Sequence, residues 1–247
     1  MRSVLIRWVL AAGLAALTPT TPAEVDLEFR AITPVTDPGD TALVGLYAVE
    51  PPGSDAPTLG AFEAILSWDS DYISLLGVDP SNPANLIFSG FPVIGSNGLN
   101  ESDPPADGDG LLIGLGPLGQ PIVATPAGTL IAVLQFEALY GTADAAVDLL
   151  ATGGTPTRDT VVFDGEIPNT IVTGTLTGTT LAITCGPFDT APPFGLLDLS
   201  DVNVFTTAFV SADPVADMND DGIFDLVDIN QFVLGFLAGC AVPPPSP

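Results

Sequence analysis

The sequence contains no histidine and no lysine, and its four basic residues are all arginine. Without imidazole there is no Ser-His-Asp or Cys-His arrangement and no zinc site built on histidine. Without lysine there is no Schiff base and no phosphate-binding loop that depends on one. Two cysteines, Cys185 and Cys240, are too few for an all-cysteine zinc site. Bases are scarce against 30 acids, and the formal net charge is −26. Such a surface repels nucleic acid and anionic lipid, so neither is an expected partner. It suits divalent cations and high ionic strength, where its self-repulsion is screened. Paired carboxylates could still hydrolyse glycosides. The acids are not clustered among aromatic side chains, however, and no enzyme is expected.

The start of the chain reads as an export signal over residues 1–23. Arg2 and Arg7 flank an apolar run over 8–17 that is too short to span a bilayer. Thr21-Pro22-Ala23 ends in a small residue, which places cleavage before Glu24; the other reading is an uncleaved anchor. No second membrane span follows, so the protein is expected outside the cell or at its surface. Cleavage would leave Arg30 and Arg158 as the strong bases and Trp68 as the sole tryptophan. In an oxidising compartment Cys185 and Cys240 read as one disulfide joining the ends of a C-terminal module. Unpaired thiols, or pairing between chains, are the other readings.

From residue 24 to 184 the pattern is all-β. Val25, Leu27, Phe29 and Ile32 are apolar with acids between the first three, and Phe62, Ala64, Leu66 and Trp68 share one face of another strand. Further strands are expected over 41–49, 111–115, 129–138, 147–150, 160–163 and 173–183. Gly, Pro, Asn and Asp cluster between them as turns require. No amphipathic helix is expected before residue 196. Six or more short strands with turn signals argue a β-sandwich. Trp68 is placed in its core.

Two segments resemble the cohesin family. One runs Gly60-Ala61-Phe62-Glu63-Ala64-Ile65-Leu66-Ser67-Trp68-Asp69 and continues to Leu75-Leu76-Gly77-Val78. The other is Gly128-Thr129-Leu130-Ile131-Ala132-Val133-Leu134-Gln135-Phe136-Glu137. The resemblance implies a jelly-roll sandwich over 24–184. Related sandwiches bind carbohydrate, so protein and polysaccharide both stand as partners. The acidic loop over 101–110 carries Asp103, Asp107 and Asp109, which would either ligate a second cation or form a solvated turn.

The C-terminal stretch repeats itself. Asp198-Leu199-Ser200-Asp201-Val202-Asn203-Val204-Phe205 with Phe209 matches Asp225-Leu226-Val227-Asp228-Ile229-Asn230-Gln231-Phe232 with Phe236, 27 positions later. Apolar residues after each Asp-x-x-Asp fall at helical spacing: Val202, Phe205 and Phe209, then Ile229, Phe232, Val233 and Phe236. Two short helices packed through these faces are expected. Residues 217–228 form a metal loop, with oxygen ligands from Asp217, Asn219, Asp221, Asp225 and Asp228, a backbone carbonyl from Ile223, and Gly222 at the sharp turn. An all-oxygen set selects calcium over zinc or copper. In the first repeat Thr190, Pro192 and Phe194 occupy the corresponding first, third and fifth places. Asp189 is one residue out of register, so no calcium or only weak binding is expected there.

Residues 185–240 resemble a dockerin, a variant ending in Gly-Cys with one intact and one altered repeat; residues 241–247 read as a disordered proline-rich tail. The resemblance implies contact with a cohesin-type partner through Leu226 and Val227 of the second repeat and Leu199 and Ser200 of the first. The fold expected is therefore a mainly β jelly-roll sandwich followed by a small helical calcium module. The function expected is secreted, non-catalytic assembly or adhesion through cohesin- or dockerin-type contacts. Head-to-tail self-association would be a heterologous contact that makes rings or filaments. The alternative is a carbohydrate-binding module in an extracellular system of polysaccharide catabolism, anchored by its tail.

Overall fold

The computed structural model describes residues 23–93, 98–241 and 243. The expected export signal, Ala23 apart, lies outside the described residues, as does most of the proline-rich tail. Among the described residues no helix is long and apolar enough to cross a membrane.

The strands used below are β1 (Val25–Ala31), β2 (Val35–Thr36), β3 (Thr41–Val49), β4 (Ala61–Trp68), β5 (Ile73–Val78) and β6 (Phe88–Gly90). They continue with β7 (Asp109–Leu115), β8 (Thr129–Ala138), β9 (Thr142–Leu150), β10 (Val161–Phe163), β11 (Thr173–Thr177) and β12 (Thr179–Ile183). One sheet has the order β11-β1-β3-β8-β5; the other runs β2-β12-β9-β4-β7-β6, with β10 also on β4. All pairs are antiparallel except β1 with β11 and β12 with β2. The two sheets enclose one core. Val25, Leu27, Phe29, Val44 and Leu46 from the first sheet meet Phe62, Ala64, Leu66, Trp68 and Val147 from the second. Trp68 is buried and packs edge-on against Phe136.

The alternation in β1 works because one face of that strand is core and the other is wet: Asp26, Glu28 and Arg30 point away from it. In β4 both faces are covered. Ile65 faces away from the main core yet is fully buried, capped by Leu99 and Leu111.

The single strand expected over 173–183 is two. The chain leaves the first sheet after Thr177 and enters the second at Thr179. Gly178 makes the crossing, and a Cβ there would lie 2.9 Å from the Val147 carbonyl oxygen and 3.0 Å from the Asp148 Cα. Only a residue without a side chain lets the strand switch so close to β9.

Both described arginines are paired with acids of the sandwich. Arg30 pairs with Glu28 at 2.6 Å and lies over the Tyr47 ring, 4.5 Å from its centroid. Arg158 pairs with Glu63 at 2.5 Å. Among the described residues no other acid is paired with an arginine.

Beyond Thr184 the chain forms α1 (Leu199–Ser211) and α2 (Leu226–Ala238). Their junction is small: Phe205, Ala208, Ala216 and Phe232 are buried, with Phe188, Phe209 and Phe236 partly so. Phe205 and Phe232, equivalent residues of the two repeats, stack with ring centroids 4.0 Å apart. Cys185 and Cys240 are joined by a disulfide with Cα atoms 4.6 Å apart. The first loop lies against the start of β9, where a Cβ on Gly195 would collide with the Thr142 backbone.

Candidate metal centre and helix face

Each Asp-x-x-Asp does local work before any metal is considered. Asp225 caps α2, its side chain accepting from the Val227 N–H at 2.7 Å. Asp228, three residues on, reaches back to accept from the Asp225 N–H at 2.9 Å. This is a reciprocal capping box, and α1 repeats it with Asp198 and Asp201. Asp228 also accepts from the Met218 N–H at 2.9 Å, which ties the beginning of the loop to the helix start. Both Asp201 and Asp228 are fully buried.

The body of the second loop is wound on its own amides. The Asp221 N–H is shared by Asp217 Oδ1 and Asn219 Oδ1, each at 3.1 Å. Gly222 donates to Asp217 Oδ2 at 2.8 Å, and Ile223 donates to Asp221 Oδ1 at 2.8 Å. Two positive backbone angles make this winding feasible, φ +56° at Asp220 and +75° at Gly222. Side-chain oxygens of Asp217 and Asn219 thus meet at the Asp221 amide, while the Asp221 carboxylate accepts from the Ile223 N–H and the Asn219 side-chain amide.

Among the described residues no three His, Cys, Asp or Glu side chains converge on a single point as a finished cation cage. Here the carboxylates hold backbone N–H groups, and the expected ligand set also includes an amide oxygen and a backbone carbonyl. The chemistry still fits calcium: every donor is oxygen, and residues 185–247 contain no basic residue to offset Asp217, Asp220, Asp221, Asp225 and Asp228. Asp217, Asn219, Asp221, Asp225, Asp228 and the Ile223 carbonyl are the groups that would hold it. A bound divalent cation would neutralise the carboxylate crowding of this turn.

The first loop is held by contacts of the same kind. Counting in the repeat puts Asp189 one residue out of register, yet its carboxylate fills the same place. Asp189 Oδ2 accepts from Gly195 at 2.6 Å, as Asp217 Oδ2 accepts from Gly222. Asp201 accepts from Ala191 and Asp198, as Asp228 accepts from Met218 and Asp225. Asp201 takes a further bond from Thr190, and Asp189 one from Cys185. The loop is closed by two carboxylates on backbone amides. A carboxylate reaching an amide six residues on leaves no mark in a position-by-position alignment of the repeats.

Asp189 is held at a cost. It is 6% exposed and its Oδ1 has no hydrogen-bond partner. Burial pushes its carboxyl above the usual carboxylate range, against the lowering effect of the Cys185 and Gly195 N–H groups, and Asp201 and Asp198 push the same way as burial. A carboxyl raised on folding stabilises the fold when protonated, and that contribution is lost as the pH rises through its folded value. Asp189→Asn keeps an acceptor for the two amides and removes the charge. It is expected to raise the melting temperature of the C-terminal module at neutral pH by a few degrees, with the gain shrinking in acid. Thermal unfolding followed by circular dichroism at two pH values checks this; a lower melting temperature at neutral pH would show that the ionised form is the stabilising one.

The acidic loop over 101–110 gathers less. Asp109 is partly buried, its Oδ1 lacks a partner, and burial with Asp107 and Glu101 nearby raises its carboxyl. It forms no cluster of three acids with Asp103 and Asp107.

The residues expected at a partner contact are mostly solvent-facing. Leu199 is 77% and Leu226 79% exposed; Val227 is exposed and Ser200 half-buried. Val233, expected in the helix junction, is exposed instead. It lines an open apolar groove between the helices with Val202, Phe205, Ile229, Phe232 and Leu237. The burial of Trp68 removes the one tryptophan among the described residues from any exposed aromatic platform.

The chain matches no family model and no curated protein. Among solved structures it is similar to the cohesin module of a family 33 glycoside hydrolase from Clostridium perfringens, at 10% identity and a TM-score of 0.46, covering 65% of this chain and 97% of that one. It is also similar to CaCohA2 from Clostridium acetobutylicum, at 16% identity and a TM-score of 0.44, covering 67% of this chain and 94% of that one. A type II cohesin domain from the cellulosome of Acetivibrio cellulolyticus gives 10% identity and a TM-score of 0.43, over 64% and 95% of the two chains. A likeness at this level says nothing of what the chain binds.

Proposed function

We propose that this is an exported, non-catalytic assembly protein that acts by protein contact through a calcium-ordered helix pair. Its sandwich is cohesin-like and its tail dockerin-like in this reading. The observation that carries it is the pairing of two features in the tail. An all-oxygen loop with no basic counter-charge lies directly before α2. The helix that follows presents Leu226 and Val227 to solvent at its first turn. Metal at the loop and apolar side chains at the helix start are then one unit: the cation fixes the turn that aims the contact residues. Calcium supplies charge neutralisation and rigidity here.

Calorimetric titration of the full mature chain with calcium is the test. One site per chain is expected, and Asp221→Ala abolishes it. Asp221 is exposed and its bonds lie within the loop, so the variant keeps its helices. Failure of the unaltered chain to bind calcium would remove the basis of this reading. Two sites of equal affinity would show that the first repeat, closed by Asp189 and Asp201, also takes the metal.

A further inference from the structure

The chain passes from the sandwich into the C-terminal module without a free linker. Strand β12 ends at Ile183, and the next residue is still held by the sandwich. The Thr184 N–H donates to the Thr36 carbonyl at 2.9 Å, and the Thr184 hydroxyl donates to Asp37. Cys185, one residue on, donates its N–H to Asp189 Oδ2 at 2.9 Å. The same oxygen accepts from Gly195 at 2.6 Å, and Gly195 is the residue that rests on the Thr142 backbone at the start of β9. The far end of the module returns to this point: Cys240 Sγ lies 3.5 Å from the Gly195 carbonyl oxygen. One carboxyl thus ties the exit of the sandwich to the loop that leans on it. No buried apolar cluster reinforces the tie, because the core of the sandwich and the core of the helix pair are separate.

Asp189 does this in an unfavourable place. It is 6% exposed, and its Oδ1 has no hydrogen-bond partner. A buried carboxylate oxygen without a donor costs free energy that a neutral carboxyl largely avoids. Asp201 and Asp198, at the start of α1, bring like charge to the same spot. Across the joint Asp37 and Asp144 are acids as well, the second accepting from the Thr142 hydroxyl at 3.2 Å. No base answers them. Residues 185–247 contain none, and Arg30 and Arg158 are paired with Glu28 and Glu63.

We propose that Asp189 is a proton-operated latch: with a proton on its carboxyl the module is clamped to the end of the sandwich, and with that proton lost the joint opens as a hinge. Calcium at the second loop plays no part in it. The sign follows from linkage. Burial raises the Asp189 carboxyl in the closed joint, and opening returns it to water and to the ordinary aspartate value of about 3.9. Closure is therefore fully favoured below that value. It falls by up to about tenfold per pH unit above it, and levels off once the raised value is passed. A joint without a large apolar contact moves by default once its polar tie is released.

The test is amide nitrogen relaxation on the full mature chain, in chelator and with the Cys185–Cys240 bridge intact, from about pH 3.5 to about pH 8. One tumbling time shared by sandwich and module is expected in acid. A separate, shorter one for the module is expected at neutral pH, with the Gly195 amide losing its protection from hydrogen exchange. Asp189→Asn keeps an acceptor for both amides without the charge, so it should tumble as one body at every pH. Gly195→Ala would place a Cβ 2.1 Å from the Thr142 carbonyl carbon. Its module should move separately at every pH, with circular dichroism showing that the helices persist. A pH response that survives in Asp189→Asn would overturn the latch. So would an unaltered chain, or a folded Gly195→Ala variant, that tumbles as one body throughout. Closure of the unaltered chain by added calcium at neutral pH would also overturn it, since a metal would then be operating the joint.

Discussion

Reducing the Cys185–Cys240 bridge in the presence of a calcium chelator is expected to unfold residues 185–240 and leave the sandwich intact. The buried core of the helix pair is Phe205, Ala208, Ala216 and Phe232. A fully buried Phe contributes about 1.5–3 kcal/mol and an Ala less, which is little against the ordering of more than fifty residues. The bridge closes a loop with a sequence separation of 55. In the chain-entropy picture that closure contributes about 4 kcal/mol. Calcium adds a stabilisation that grows with its concentration over its dissociation constant. Either support alone should keep α1 and α2 folded; removal of both should not. Far-UV circular dichroism reports the helices. Fluorescence of Trp68, the sole tryptophan among the described residues, reports the sandwich core. A helix signal that survives reduction and chelation together would show that the aromatic junction suffices. A Trp68 signal lost together with the helices would show that the two parts unfold as one.

The second large effect is expected from Asp228→Ala, and it is not chiefly a calcium effect. Asp228 is fully buried and accepts from the Met218 and Asp225 N–H groups at 2.9 Å each. Removing the carboxylate strips both amides of their partner and breaks the capping box. Both bonds are part-buried, so each lost partner costs up to about 1–3 kcal/mol, a large share of the stability of a module this small. The variant should melt well below the unaltered protein even in chelator, where no metal contributes to either. Asp221→Ala is the counterpart. Its side chain is exposed and bonds only within the loop, so it should lose calcium affinity with little change in metal-free melting. Melting curves of the two variants, each with calcium and with chelator, separate the roles. Equal metal-free melting temperatures for both would mean that the capping box contributes nothing measurable.

The C-terminal module shows why some of its features can be read from sequence and others cannot. Asp-x-x-Asp before an apolar run predicts a helix start because capping is a contact between residues two or three apart. Both helices begin one residue after the first Asp of that motif. Phe205 and Phe232 are legible as packing residues because helical spacing puts them on one face. With two cysteines in the chain, one intramolecular pairing exists, and the structure makes it. Asp189 was legible only as an acid near the first loop. Its reach to the Gly195 amide depends on how the loop folds around it.

In the sandwich the same division holds. Alternation in β1 and β4 marked the strands and the faces that carry Leu27, Phe29, Phe62 and Leu66. Strand β8 buries Ile131, Ala132, Val133 and Leu134 in succession, and such a run marks a strand without saying which sheet or neighbours it has. Its place between β3 and β5, and the change of sheet at Gly178, follow from pairings between residues far apart in sequence. Sequence by itself determined the acidic charge balance, the absence of histidine and lysine chemistry, the β pattern, the two helix starts and the oxygen-rich loop, since composition and contacts within a few residues fix all of these. Tertiary structure alone decided that Val233 and Leu237 are exposed, that Asp189 closes the first loop, and that Asp201 and Asp228 are fully buried. Each of those outcomes depends on which groups from distant parts of the chain meet, and the free energy of burial is set by that meeting.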